Sequence, residues 1–220
     1  MFKSNEKKKY IRRFKKIVDI KSSSDKEYFN KDGCGLEIEF GIRYERPSVT
    51  YTEVGLKKLV ELVQGKGKFV IDNTIGTDLN LEIVLNPFGK EQLRPLLEDI
   101  MDILEFYENF VINENCGVHA NFRADDKLKK KFYNLLLQGH YEEDRFAHNK
   151  YKVNFNQLTK KRDGSLRSYE EFIDYQNRIS SKYTSVNFLK DGLVEFRALD
   201  LDWENIEFVI DIYEKAKQMQ

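Results

Sequence analysis

The stretch GCGLEIEFG, residues 33–41, decides the fold. Leu36, Ile38 and Phe40 alternate with Glu37 and Glu39, and alternation with a period of two marks a strand with one buried face. The two carboxylates then stand side by side on the other face, where like charges repel. A strand that keeps such a pair needs something on that face to offset it.

The same design recurs down the chain. LNLEIVLNP (79–87) sets Leu81, Ile83 and Leu85 against Asn80, Glu82 and Val84. CGVHANFRA (116–124) sets Val118, Ala120 and Phe122 against His119, Asn121 and Arg123. GLVEFRALD (192–200) sets Val194, Phe196 and Ala198 against Glu195 and Arg197. KFVIDN (68–73) is a further short strand running into Asp72. YTSVNFL (183–189) pairs with 192–200 through a turn at Lys190-Asp191-Gly192.

Helical periodicity fills the intervals. YTEVGLKKLVELVQGKG (51–67) is a helix stopped by its glycines. KEQLRPLLEDIMDILEFYENF (90–110) repeats Leu93, Leu96, Leu97, Ile100, Met101 and Leu104 at helical spacing, with Pro95 expected in its first turn. Helices also follow over 125–139, ended by Gly139, over 168–180, and over 202–217, where Trp203, Ile206, Val209, Ile210 and Tyr213 form one stripe. Residues 140–168 read as an irregular, charged excursion. The fold class is α+β: one domain over 33–220, with one sheet face on helices and the other polar.

Residues 1–22 form a separate basic segment. Tyr10, Ile11, Phe14, Ile17 and Val18 recur at helical spacing among Lys and Arg over 7–19. Such a helix either packs on the domain with a solvated charged face or meets an acidic partner, a membrane surface or nucleic acid. The whole chain of 220 residues is neutral, with 37 basic and 37 acidic residues, which argues against nucleic-acid binding spread over the surface. Two cysteines are too few for a disulfide scaffold. No apolar run reaches membrane-span length, and the basic N-terminus lacks the apolar stretch of a secretory signal. The expectation is a reduced, cytoplasmic protein.

The polar strand faces offer Glu37 and Glu39, Glu82, His119 and Asn121, and Glu195 and Arg197. If their apolar faces share one core, these groups converge. Converging carboxylates suit a hard cation such as Mg²⁺ or Mn²⁺, with an arginine to balance phosphate charge. The alternative is an ordinary solvated sheet face. A metal-dependent nuclease fits less well, because the position two after Glu82 is Val84 rather than a lysine.

GLEIEFG, DNT followed by LEIVLNP, CGVHANF, KYTSVNF and GLVEFRALDLD also occur in the order found in the amidoligase family, and the chain resembles that family over about residues 33–215. These are glutamine synthetase-like and glutamate–cysteine ligase-like carboxylate–amine ligases. The resemblance implies a mainly antiparallel curved sheet, like the glutamine synthetase catalytic domain, whose concave face binds ATP and Mg²⁺ or Mn²⁺. It implies that a carboxylate becomes an acyl phosphate and is attacked by an amine, giving an amide. Metal ligands would be Glu37, Glu39, Asp72, Glu82, His119 and Glu195. Lys182 and Asn187 would contact the nucleotide or its phosphates, Arg197 would hold the transferring phosphate, and Arg145 would contact substrate. The chain departs from the pattern at Asn121, which replaces a second histidine, at Thr74, and around Leu85-Asn86-Pro87. The alternative implied by these departures is a weakened ligase fold acting as an interaction module, for instance in a phage particle.

Overall fold

A computed structural model describes residues 4–18, 33–44, 49–71, 76–113, 115–140, 155–179, 184–199 and 201–219. The GLEIEF alternation becomes β1 (Cys34–Ile42), with Leu36, Ile38 and Phe40 fully buried. The chain continues through α2 (Val49–Val63), β2 (Gly67–Ile71), β3 (Leu79–Leu85), α3 (Lys90–Phe106), β4 (Phe110–Val111) and β5 (Val118–Arg123). Then come α4 (Asp126–Leu135), α5 (Phe155–Thr159), α6 (Tyr169–Arg178), β6 (Val186–Asn187), β7 (Leu193–Leu199) and α7 (Trp203–Gln218), with α1 (Ser4–Ile17) preceding all of them.

The strand order is β2-β3-β1-β5-β7-β6, and β4 also pairs with β1. Every described pair is antiparallel. β1 lies in the interior, flanked by β3 on one side and by β5 and β4 on the other. Its apolar face joins Leu81, Ile83 and Leu85 of β3, Ala120 and Phe122 of β5, and Val194 and Phe196 of β7 in one core. Leu56 and Leu59 of α2, Leu97 and Ile100 of α3, Phe132 of α4, and Ile206 and Val209 of α7 close that core from the helix side. Each of these Leu, Ile, Val and Phe side chains contributes about 1.5–3 kcal/mol by leaving water.

Several elements differ from the sequence expectation. Pro95 is the sixth residue of α3, not part of its first turn. It is exposed, so water can reach the Glu91 carbonyl that its missing N–H leaves unbonded. Gly139 does not end α4, because the backbone continues through a π-helical turn over Leu136–His140. Within the stretch read as irregular, α5 buries Phe155 and Leu158. Five residues are too few to show a helical period. α6 begins at Ser168, which forms a reciprocal capping box with Glu171.

The short edge strand β6 is held by a side chain. Gln176 of α6 donates to the Val186 carbonyl and accepts from the Phe188 N–H, completing the backbone pairing that a further strand would supply. Gln176→Ala therefore strands two buried backbone groups, each worth about 1 kcal/mol when left unpaired. Urea unfolding should show a loss of about 2 kcal/mol, and a stability equal to the parent would refute this role.

Candidate metal and phosphate site

Register, rather than parity alone, assembles the polar face. Glu39 of β1 stands opposite Glu82 of β3, and Glu37 stands opposite His119 of β5. Asn121 opposes Glu195 of β7, and Asn187 of β6 opposes the same Glu195. These polar groups form a continuous band across five strands, with the carboxylates on β3, β1 and β7 and the His119, Asn121 and Asn187 side chains on β5 and β6.

A β-bulge lies beside this band. Val118 pairs with Leu199 and Ala120 with Phe196, so Arg197 and Ala198 together oppose His119. The extra residue breaks strict alternation. Glu195 and Arg197 interact with each other as on one face, while Leu199, two residues further on, is fully buried in the hydrophobic core.

Glu37, Glu82 and His119 each bring one ligand atom to within 4.8 Å of the others. His119 Nδ1 donates to Glu37 Oε2 at 2.9 Å, and the Asn121 amide donates to Glu37 Oε1 at 3.0 Å. His119 Nε2 faces Glu39 Oε1 at 3.7 Å. Burial alone would push the Glu37 carboxyl up. The His119 hydrogen bond, the charges of His119 and Lys190, and a hydrogen bond with Glu82 outweigh it and hold Glu37 down to about 2.

This face is polar but not solvated. The side chains of Glu37 and Glu39 are 16% and 12% exposed, and that of Glu195 only 2%. A mixed, hydrated sheet face is therefore not what these residues form. The donor set fits a hard cation: two carboxylates and an imidazole within reach of one ion, and a third carboxylate adjoining. One further observation fits. Asn121 is buried, and its Oδ1 has no hydrogen-bond partner among the described residues. Its orientation is fixed, because the reverse would set an oxygen against the Glu37 carboxylate.

Glu195 sits at the junction between the acidic band and a basic pair. Its Oε1 is 2.9 Å from Lys190 Nζ and 3.9 Å from His119 Nδ1. Its Oε2 is 3.5 Å from Arg197 Nη1 and accepts from Asn187 Nδ2 at 3.2 Å. Asn187 Oδ1 in turn accepts from the Leu189 N–H at 2.9 Å, so both ends of this amide serve the protein. Asn187, expected to contact the nucleotide or its phosphates, donates to Glu195.

In sequence, Lys190 stands out only as a turn residue. Gly192, at φ 64°, lets the hairpin reverse tightly enough for the Lys190 side chain to return to Glu195. The buried Lys129 of α4 donates to the Lys190 carbonyl at 2.7 Å and fixes the turn. The sequence signal was a lysine five residues before a strand glutamate across a tight turn, which many surface hairpins share. Asp72, Lys182 and Arg145 lie outside the described residues. Cys116, which has a buried thiol near the Val111 carbonyl, and the core residue Trp203 both take structural places.

No protein-family model matches the chain, and no curated protein matches it.

Proposed function

We propose that this protein is an ATP- and Mg²⁺-dependent carboxylate–amine ligase. The observation that carries the reading is the contiguity of two opposite functions on one water-poor sheet face. A cation-compatible acidic cluster, Glu37, Glu82 and His119, adjoins a basic pair, Lys190 and Arg197, through Glu195. Phosphoryl transfer needs both, one to bind the metal that accompanies a nucleotide and one to balance the transferring phosphate.

In this reading Glu37, Glu39, Glu82 and His119 hold Mg²⁺ or Mn²⁺, with Asp72 and Glu195 as further acidic ligands. When bound, the ion supplies charge neutralisation to phosphate oxygens. Arg197, aided by Lys190, holds the phosphate that moves, and Asn187 keeps Glu195 aligned between them. Lys182 and Arg145 contribute nucleotide and substrate contacts. The substrate carboxylate oxygen forms a bond to the γ-phosphorus of ATP and ADP leaves. The amine nitrogen then bonds to the carbonyl carbon of the acyl phosphate, phosphate departs, and the amine loses its proton. The motif order shared with amidoligases supports the same chemistry.

Thermal unfolding tests this without knowledge of the substrates. Each ligand at a hundredfold excess over its Kd adds about 2.7 kcal/mol. In a chain of this size that raises Tm by about 5–10 °C. Mg²⁺ and ATP together should exceed either alone, and Glu37→Gln should remove the joint effect. If the wild-type protein responds to neither, the ligase reading fails and the alternative gains: a ligase-like fold serving as an interaction module, in keeping with Asn121 where the motif has a histidine.

A further inference from the structure

The acidic cluster and the basic pair belong to the site already described, but one strongly charged surface does not. α1 docks on α2 and buries Phe14 and Val18 in the common core. Tyr10 stacks on Tyr44 at 5.2 Å between ring centroids. Lys7 pairs with Asp78, and Arg13 pairs with Glu53, which tie the helix to the domain at two points. At 100° per residue, Lys8, Lys9, Arg12, Lys15 and Lys16 fall on the side opposite Phe14. All five are exposed, and none is ion-paired among the described residues.

The neutral total is the wrong measure for this face. At physiological salt, charge is screened within about 8 Å. Five cations gathered within about two and a half helical turns therefore present a local positive charge that acidic residues beyond that screening distance do not cancel. The chemistry of the face narrows its partner. Its apolar side is sealed against the protein core, so the helix cannot insert into lipid as an interfacial helix does. It carries no exposed aromatic residue on which unpaired bases could stack. Closely spaced Lys and Arg, with no exposed aromatic residue beside them, suit a regular, dense row of phosphates.

We propose that the α1 face binds the phosphate backbone of duplex nucleic acid without sequence preference. The four residues nearest the centre of the face, Lys8, Lys9, Arg12 and Lys16, make the contacts. The proposal is independent of the ligase reading, because these residues lie on the helix side of the sheet.

Fluorescence anisotropy of the full chain with a labelled mixed-sequence DNA duplex tests it. With four phosphates neutralised, affinity should fall roughly a hundredfold between about 50 and 200 mM salt. The quadruple variant Lys8→Ala, Lys9→Ala, Arg12→Ala and Lys16→Ala should lose most of the binding and the salt slope. These side chains are solvent-facing and alanine favours helix, so the variant should keep its circular dichroism and Tm. Asp99→Asn with Asp102→Asn on α3 should leave binding unchanged. The proposal is overturned if the wild-type chain does not bind at low salt, or if the folded quadruple variant binds as well as the parent. It is also overturned if the variant instead abolishes a salt-sensitive oligomer seen by sedimentation without any duplex binding. That result would make a second copy the partner, through the acidic face of α3.

Discussion

Glu195→Ala is expected to lower the free energy of unfolding by about 4 kcal/mol, the largest loss from any single change at the site. Glu195 is almost wholly buried and is the common partner of Lys190, Arg197 and Asn187. Truncation removes a carboxylate that Lys190 and Arg197 share among the described residues, and takes it from an Arg197 guanidinium that is largely shielded from water. Lys190 contributes less to the loss, because its ammonium is more than a third exposed and water can take over. Loss of repulsion from the neighbouring carboxylates works the other way, but Glu195 makes its close contacts with basic and amide groups. Glu195→Gln keeps the shape and one acceptor and should cost about half as much. Urea denaturation at neutral pH measures both. A Glu195→Ala protein as stable as the parent would show that this junction is not formed.

Acid should destabilise the protein through Glu37. Its carboxyl is held down to about 2 in the folded chain, against an ordinary glutamate value of about 4.3 once unfolded. A group whose folded value is depressed adds stability above its unfolded value and loses it as pH falls through the folded one. The contribution, about 3 kcal/mol, is complete above about pH 5 and is lost between there and about pH 2. Glu37→Gln removes the titrating group and should flatten this part of the stability–pH curve, while lowering stability near neutrality. Unfolding free energies measured across that range in both proteins decide the matter. Parallel acid limbs would mean that Glu37 is not the group His119 and Lys190 stabilise.

These expectations draw on features of unequal legibility. The strands were readable because a half-buried strand writes its faces into every second residue, as in Leu36-Glu37-Ile38-Glu39-Phe40. The hairpin turn at Lys190-Asp191-Gly192 was readable because its chemistry is local. α5 was not, since five residues carry no period, and its place in the core depends on Phe155 meeting Tyr133 and Phe172. Pro95 lies a turn deeper than expected although the helix starts at Lys90 as the sequence indicates, because its exposed position lets water take the carbonyl its ring leaves unbonded.

For the site, alternation along β1, β3, β5 and β7 is enough to put Glu37, Glu39, Glu82, His119, Asn121, Glu195 and Arg197 on the polar side of their strands, because the period-two geometry of an extended chain fixes it. The sequence also supplied the suspicion that paired glutamates need a counter-charge. Which groups meet depends on strand pairing in the folded chain. Glu37 finds His119 across more than eighty residues, and Glu39 finds Glu82 across more than forty, through registers that no local pattern encodes. A single extra residue in β7 opposite His119 turns Leu199 into the core beyond Arg197. Lys190 joins the site because the hairpin folds back on itself. Side-chain direction is a property of the local backbone, whereas convergence is a property of strand pairing, and pairing is set by the burial of whole faces at once.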